Sequence, residues 1–343
     1  MKVTADNSIA SSLAHDSQTS TISVVVVVWN AQKYVLECLE SLREHCRDTY
    51  SEVIVVDNAS TDGTPDVVAT LFPEFTLIRN QVNLGFAKAN NIGISQCSGD
   101  YVCLVNSDVK FTDDCLSPML QYLNENPAVA MIGPTMLWPD GRVRRSTMRF
   151  PTVWNLLCRA IGLDRLFRQS RIFAGQLMSD FDHKTTTPVE VLNGWFVMVR
   201  RHALEGVGPL DPQFFMYGED IDWCYRFREA GERIVFFAGA GAIHYGGASS
   251  ASAPIRFYLE MTRANWQYWR KHHGWLSQQA FLGSLTIHHA VRLLGCTLSY
   301  LCAPSTRAET LLKLKRHFAC LQWIGEMATG HDKAIATGVA EFQ

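Results

Sequence analysis

The sequence predicts an α/β protein built on a doubly wound, mostly parallel sheet with flanking helices. Three observations carry that prediction. From Ile22 to Ile132, β-branched apolar runs alternate with amphipathic helical stretches, the pattern of repeated strand–helix–strand units. The links between these stretches are short. Polar residues also gather where the apolar runs stop, at Asn30, Asp57, Asn106 and Asp108. That is where a ligand sits in such sheets, beyond the carboxyl ends of the strands.

Ile22 to Val28 is a β-branched run, expected of a strand buried on both faces. Val35, Leu39 and Leu42 then recur at helical spacing within Lys33 to Cys46. Glu52 to Val56 reads as a second strand, and Thr64-Pro65 as a cap residue followed by a first-turn proline. Phe75 to Arg79 is a third short strand. Asn83-Leu84-Gly85-Phe86 turns into a helix over Ala87 to Gln96, and Tyr101 to Val105 is a fourth strand. Asp113 is expected to cap a helix to about Asn126, and Ala128 to Ile132 to form a fifth strand.

After Gly133 the pattern changes. Pro139-Asp140-Gly141 marks a hairpin turn. Arg142, Arg144, Arg145 and Arg149 follow, either as a solvated edge or as a phosphate clamp; the solvated edge is the simpler reading. Residues 150–186 show no regular pattern. Val189 to Arg200 reads as a strand, with Asn193-Gly194-Trp195 small enough for a backbone to approach a ligand. The aromatic stretch Phe214-Phe215-Met216-Tyr217 suggests a pocket wall. Glu219, Asp220 and Asp222 open a helix ending at Gly231. Acidic residues suit a first helical turn, which accounts best for Asp222, whereas Glu219 or Asp220 is placed to serve as a base. Arg233 to Phe237 is a further strand, and His244 lies on the loop beyond it, next to Gly246 and Gly247, as a ligand candidate.

Composition bounds the function. The chain has 343 residues, 47% hydrophobic, with a formal net charge of -2. That is enough for one large domain or a domain plus an appendage, and the patterning divides the chain into a disordered polar leader (1–20), an α/β domain (21–250) and a helical C-terminal region (251–343). No basic excess points to nucleic acid. Ten scattered cysteines without a Cys-x-x-Cys pair read as reduced core thiols. The leader has no basic start and apolar core, so a cytoplasmic start is expected. Neither a Gly-x-Gly-x-x-Gly loop nor a Walker loop is present, which argues against dinucleotide and ordinary NTPase chemistry. Asn106-Ser107-Asp108 has two readings: a helix cap, or one carboxylate and one amide oxygen for Mg²⁺ or Mn²⁺, a hard ion completed by substrate phosphates.

The C-terminal region is helical by pattern. Arg256 to His273 is rich in aromatics, and Phe281 to Cys302 is long and apolar but holds His288, His289 and Arg292. A central arginine costs about 2.5–3.5 kcal/mol in a bilayer, so spanning is disfavoured. Lys313, Lys315, Arg316 and His317 beside apolar residues suit either an anionic bilayer surface or a helical cap on the catalytic domain.

Five motifs in order now acquire a common meaning: Val-Val-Trp-Asn (27–30), Val-Asp-Asn-Ala-Ser-Thr-Asp-Gly (56–63), Asn-Leu-Gly-Phe-Ala-Lys-Ala-Asn-Asn (83–91), Leu-Val-Asn-Ser-Asp (104–108) and Phe-Phe-Met-Tyr-Gly-Glu-Asp-Ile-Asp-Trp-Cys-Tyr-Arg (214–226). Over Ile22 to Gly247 the chain resembles an inverting family 2 glycosyltransferase with the GT-A fold, in its rhamnosyltransferase-like branch. The resemblance implies that Asn30 and Asp57 hold the nucleoside, and that the loop Asn83 to Asn90, with Gly85, closes over the nucleotide-sugar. It further implies that Asp108, beside Asn106, carries the metal, that His244 is a later metal ligand, and that Asp220, next to Glu219, is the base. The family's Asp-x-Asp is Asn-Ser-Asp here, so the metal should depend more on the donor diphosphate. The implied partners are a dTDP- or UDP-sugar donor and a saccharide acceptor. On the bilayer reading the acceptor is lipid-linked, at the inner face of the plasma membrane, in cell-surface polysaccharide assembly. Two alternatives remain: a sugar-nucleotide nucleotidyltransferase, which needs a glycine-rich basic loop that Val28-Trp29-Asn30-Ala31-Gln32 does not supply, and a non-catalytic membrane-associated scaffold.

Overall fold

The structure is a computed structural model and describes residues 20–246, 253–302, 305 and 307–328. The expected leader, apart from residue 20, and the glycine at 247 lie outside the described residues. The predicted alternation runs β1 (Ile22–Val28), α1 (Gln32–Cys46), β2 (Glu52–Asp57), α2 (Thr64–Leu71), β3 (Thr76–Arg79), α3 (Phe86–Ile94) and β4 (Tyr101–Asn106). Then come β5 (Val109–Lys110), α4 (Leu116–Glu125), β6 (Val129–Leu137), β7 (Val143–Arg144), β8 (Thr147–Met148), α5 (Val153–Ile161) and α6 (Leu163–Leu166). β9 (Thr187–Pro188), β10 (Val191–Leu192), β11 (Phe196–Arg200), α7 (Arg201–Val207), α8 (Glu219–Glu229) and β12 (Arg233–His244) complete the sheet-bearing part. Three helices follow: α9 (Pro254–His272), α10 (Trp275–Cys302) and α11 (Arg307–Ala328).

The main sheet has the order β3-β2-β1-β4-β11-β6-β12-β5. β1 pairs in parallel with β2 and β4, as its double-sided burial requires. Val24, Val26 and Val28 pack into one layer with Leu39 and Leu42 of α1, while Val25 faces the other with Ala87 and Ala89 of α3. The predicted fifth strand is not next to the fourth. β11 inserts antiparallel between β4 and β6, so the sheet is mixed.

Other local expectations shift for identifiable reasons. Asp114, not Asp113, caps α4, its Oδ1 accepting the Leu116 and Ser117 N–H groups at 3.0 and 3.1 Å. Asp62 does the same for the Thr64 N–H at the start of α2, at 3.1 Å. The strand expected over 189–200 breaks at Asn193-Gly194: β10 leaves to pair with β8, and β11 stays in the main sheet. Residues 150–186, without regular pattern in the sequence, contain α5, capped by Thr152 accepting the Asn155 N–H at 3.2 Å. The apolar partner of α5 is α10, far along the chain, which is why local patterning does not reveal it. β12 continues beyond Phe237 through a register shift and ends at His244, which is therefore a strand residue paired with Val109 and not on a loop.

The C-terminal helices share the second core layer: Trp269 of α9, Phe281 of α10 and Trp323 of α11 are buried in the cluster that holds Val25 and Phe227. Among the described residues no helix is long and apolar enough to cross a membrane. Arg292, within α10, donates to the carbonyls of Ala160 and Arg159 at 3.2 and 3.1 Å, satisfying orphan groups at the C-terminus of α5.

Asp222 does more than complement a helix dipole. Its fully buried carboxylate receives Arg226 Nε at 2.9 Å, Lys271 Nζ at 2.7 Å and His272 Nε2 at 2.6 Å. The last two come from the end of α9, so this node fastens α9 to α8. Burial raises the Asp222 pKa, but the bonds from His272 and Lys271 and the Arg226 charge outweigh it and hold the carboxyl below its usual range. Removing one partner of a buried ion cluster strands the others. Asp222→Ala should therefore cost roughly 3–5 kcal/mol in urea unfolding at neutral pH. Since the group's folded pKa is lowered, its contribution is present above the ordinary carboxylate range and lost as pH falls through the folded value. The gap between wild type and variant should close in acid.

Candidate active site

A cavity of about 400 Å³ opens at the carboxyl ends of β1 and β4, lined among others by Trp29, Asn106, Asp108, Arg144, Tyr217 and His244. Its floor is set by strand pairing. β5 follows β4 after a tight turn and pairs antiparallel with the end of β12, which places His244 opposite Val109. His244 Nε2 then lies 3.0 Å from Asp108 Oδ1. Asp108 Oδ2 accepts the Gly246 N–H at 3.0 Å, and its backbone carbonyl accepts the Tyr245 N–H at 3.0 Å. Both side chains are buried, at 7% and 8% exposure. Burial raises the Asp108 pKa, but the hydrogen bond and charge of His244 and the Gly246 N–H more than reverse this and keep it ionised. The Trp195 ring lies nearly flat on the imidazole, centroids 5.4 Å apart.

Two buried atoms here lack a protein partner: Asn106 Oδ1 and His244 Nδ1. With the Asp108 carboxylate they make an oxygen-and-imidazole donor set of the kind Mg²⁺ or Mn²⁺ accepts. Among the described residues no three His, Cys, Asp or Glu side chains converge. The set therefore fits an ion that shares its shell with substrate oxygens, not one caged by protein alone.

The opposite wall is a zipper between two distant segments. Asn83 Oδ1 accepts from Asn58 Nδ2 at 2.8 Å and from the Gly85 N–H at 3.0 Å. Asn58 Oδ1 in turn accepts from Asn80 Nδ2 and the Leu84 N–H, each at 3.0 Å. The Phe86 N–H donates to the Phe215 carbonyl at 2.6 Å. Gly85 has φ +83°, and a Cβ there would run into that carbonyl. Phe215, Met216 and Tyr217 form the expected aromatic wall, with Tyr217 held at φ +69°. A bulky residue at positive φ is a strained arrangement, of the kind that clusters at functional sites.

Three expected contact residues sit elsewhere. Asn30 does not line the cavity; it is exposed, at φ 47°, and its Oδ1 accepts the Thr61 N–H at 2.7 Å, tying the first two strand-end loops together. Its neighbour Trp29 lines the cavity instead. Asn90 is buried within α3, donating to the Phe86 carbonyl at 2.9 Å, because its place in the helix turns it away from the cavity. Asp57 is buried behind the lining, Oδ2 accepting the Ser60 N–H at 3.0 Å while Oδ1 has no protein partner.

Asp220 and Glu219 stand at the N-terminus of α8 and line a small hollow behind Phe86, a ring shared with the main cavity. Asp220 Oδ2 accepts the Gly194 N–H at 3.2 Å and Oδ1 that of Ile221 at 2.8 Å. Gly194 is small because Asp220 comes close: a Cβ there would lie 3.3 Å from the Asp220 Cβ, so its smallness serves a protein side chain and not a ligand. The next residue, Trp195, receives the Asn106 N–H on its carbonyl at 2.8 Å and stacks on His244. Asp220 is thus one peptide removed from the Asp108–His244 pair. Burial raises the Asp220 pKa against those two N–H bonds. Burial and then the Asp220 charge push Glu219 well above the carboxylate range.

The arginine run divides. Arg142 is exposed and paired with Asp140 at 2.7 Å, a solvated turn. Arg149 is engaged with the Gly175 carbonyl and Asp180. Arg144 alone reaches the main cavity, 4.1 Å over the Trp138 ring and donating to the His244 carbonyl at 3.4 Å. Sequence reasoning missed Asn58 and Trp195 and assigned Arg144 to an edge. Asn58 sits inside a quoted motif, but no local pattern signals that Trp195 will meet His244.

A family model described as "Glycosyl transferase family 2" matches residues 23–207. The N-acetylglucosaminyl-diphospho-decaprenol L-rhamnosyltransferase of Mycobacterium tuberculosis (strain H37Rv) is 26% identical over 277 residues, covering 75% of this chain and 87% of its own. Glycosyltransferase GlyG of Streptococcus pneumoniae serotype 4 is 34% identical over 117 residues, 33% of this chain and 38% of its own. Among solved structures, the mannosyltransferase PcManGT from Pyrobaculum calidifontis, in complex with GDP-Man and Mn²⁺, superposes with a TM-score of 0.52 at 18% identity, covering 90% of this chain and 88% of that one.

The zipper at Gly85 makes a prediction. Gly85→Ala combines strained backbone, costing on the order of 1–3 kcal/mol, with a clash at Phe215. Urea unfolding should show at least that loss. An unchanged midpoint would mean that the loop at 83–86 is not held against residues 214–217 in solution.

Proposed function

The chain belongs to glycosyl transferase family 2, with the GT-A fold, and on that footing we propose that it transfers a sugar with inversion from a nucleotide-diphosphate donor to a hydroxyl of a lipid-linked saccharide. The observation that carries this reading is the buried Asp108–His244 pair on the cavity floor, with Asn106 Oδ1 free beside it and the Arg144 guanidinium at its edge. This is a surface for a diphosphate, not for a hydride carrier or a triphosphate loop. The relative from Mycobacterium tuberculosis makes rhamnose, on a dTDP or UDP carrier, the first donor to test, and a lipid-diphosphate saccharide the first acceptor.

The chemistry is one displacement. The acceptor oxygen forms a bond to the anomeric carbon as that carbon's bond to the diphosphate oxygen breaks, and the diphosphate leaves with the electron pair. Asp220 takes the hydroxyl proton as general base. Burial raises its pKa, which makes it a better proton acceptor than an ordinary aspartate. Burial and the Asp220 charge raise Glu219 as well, which disfavours a second carboxylate beside the base. Asp108 and His244, with Asn106, would hold a Mg²⁺ or Mn²⁺ ion that neutralises charge on the departing diphosphate. Arg144 supplies a fixed positive charge to the same group. Since a diphosphate so neutralised needs no proton to leave, one base suffices, unlike the two carboxyl groups of glycoside hydrolysis.

Release of nucleoside diphosphate from a panel of nucleotide-sugars, with divalent ion and a lipid-linked acceptor, tests the reading; no release from any donor would sink it. Asp220→Asn should lower turnover by roughly 10²–10⁴-fold with donor binding kept, and Glu219→Gln far less. Because the base works deprotonated and its pKa is raised, the rate should fall on the acid side at a higher pH than an unperturbed aspartate would give. Asp108→Ala should abolish the Mn²⁺-dependent part of the thermal stabilisation by dTDP or UDP; a variant still stabilised by Mn²⁺ and nucleotide would move the ion elsewhere.

A further inference from the structure

A second, larger cavity of about 620 Å³ lies beside the first, between α5–α6 and the C-terminal helices. Arg145, Arg159, Arg165, Arg168, Arg292 and Arg316 line it. Asp164 is the sole carboxylate in the lining, and it pairs only with Arg159, at 3.8 Å. Among the described residues the other five guanidinium groups have no carboxylate partner. Arg316 lies 4.4 Å over the Tyr258 ring with its Nε buried and unpartnered. The neighbouring imidazoles add no charge: burial first, then the surrounding arginines and histidines, push His288 down to about 3 and His289 and His317 to about 4. So many convergent cations without counter-charge cost repulsion that a bound polyanion removes.

Two further features narrow the anion. The two cavities share chain neighbours in their linings: Arg144 and Phe257 line the first, Arg145 and Tyr258 the second. At the edge of the basic cavity, between the lining residues Arg165 and Arg168, Leu166 and Phe167 are both exposed. Guanidinium groups under an apolar rim suit a phosphorylated headgroup with a hydrocarbon chain.

We propose that the basic cavity is a second ligand site that seats the diphosphate of the lipid-linked acceptor, its chain lying on the apolar rim and its sugar reaching past Arg144 and Arg145 into the first cavity. The acceptor role rests on the glycosyl-transfer reading; the binding does not.

Farnesyl diphosphate and inorganic pyrophosphate are the probes, titrated calorimetrically into the full chain in EDTA, so that no divalent ion supports binding in the first cavity. Farnesyl diphosphate should bind more tightly than pyrophosphate. Arg165→Gln/Arg168→Gln, at exposed positions, should weaken it by about tenfold per guanidinium removed, with an unchanged melting temperature showing that the fold persists. Asp108→Ala should bind it as the wild type does. No binding, binding indifferent to the double substitution, or loss in Asp108→Ala each overturns the proposal. Pyrophosphate binding equal to that of farnesyl diphosphate would make this a free-phosphate site, and anionic phosphatidylglycerol vesicles competing fully with farnesyl diphosphate would make it a membrane contact; both overturn the acceptor assignment. Farnesyl diphosphate binding without nucleotide release from any donor would fail the transfer reading and leave this site standing. Nucleotide release without farnesyl diphosphate binding would do the reverse.

Discussion

The pairing of two-residue β5 with the last residues of β12 is the constraint on which the rest depends. It brings Asp108 and His244, 136 positions apart, to 3.0 Å in surroundings where neither tolerates isolation. A buried carboxylate needs hydrogen bonds or a counter-charge, and Asp108 is hydrogen-bonded to His244, the last residue of β12, and to the Gly246 N–H just beyond it. β12 can reach that point only because its register shifts beyond Phe237 and lets it run on to its twelfth residue. Trp195, at the head of antiparallel β11, then covers the imidazole and connects it by one peptide to Asp220.

Around this pair the protein spends its polar groups unevenly. Asn30, Asn58 and Asn83 hold backbone and together shape the loops at the strand ends, while Asn90 is spent within α3. Asp57 Oδ1, Asn106 Oδ1 and His244 Nδ1 stay buried without partners. Buried polar atoms are seldom left so, and three of them near one cavity point to a ligand that completes them. The same contrast separates Asp222, whose carboxylate is saturated by Arg226, Lys271 and His272 and serves architecture, from Asp220 two residues earlier, which accepts only two backbone N–H groups.

The C-terminal helices are part of the same construction. Through Trp269, Phe281 and Trp323 they bury apolar area in the sheet's second layer, and through the Asp222 node they are fastened to the helix that presents Asp220. Their remaining faces, with α5 and α6, enclose the arginine-rich cavity. The chain neighbours Arg144 and Arg145 therefore line two different charged chambers, each built from segments distant in sequence.

By itself the sequence determined the half of the fold from β1 to β4, because strand and helix there follow from local periodicity and turn chemistry, and polar residues at strand ends point to the ligand edge. It also singled out Asp108 and Asp220 through ordered motifs, and His244 through its place beyond a strand and before two glycines. Only the tertiary structure decided that β11 inserts antiparallel, that His244 meets Asp108, that Asn30 serves a loop and Asn90 its own helix instead of the cavity, and that Arg144, Arg145 and Arg149 part company. The physical reason is range. Side-chain alternation encodes which face is buried, whereas the partner that covers that face is chosen by pairing between segments often a hundred or more residues apart, which no local pattern records.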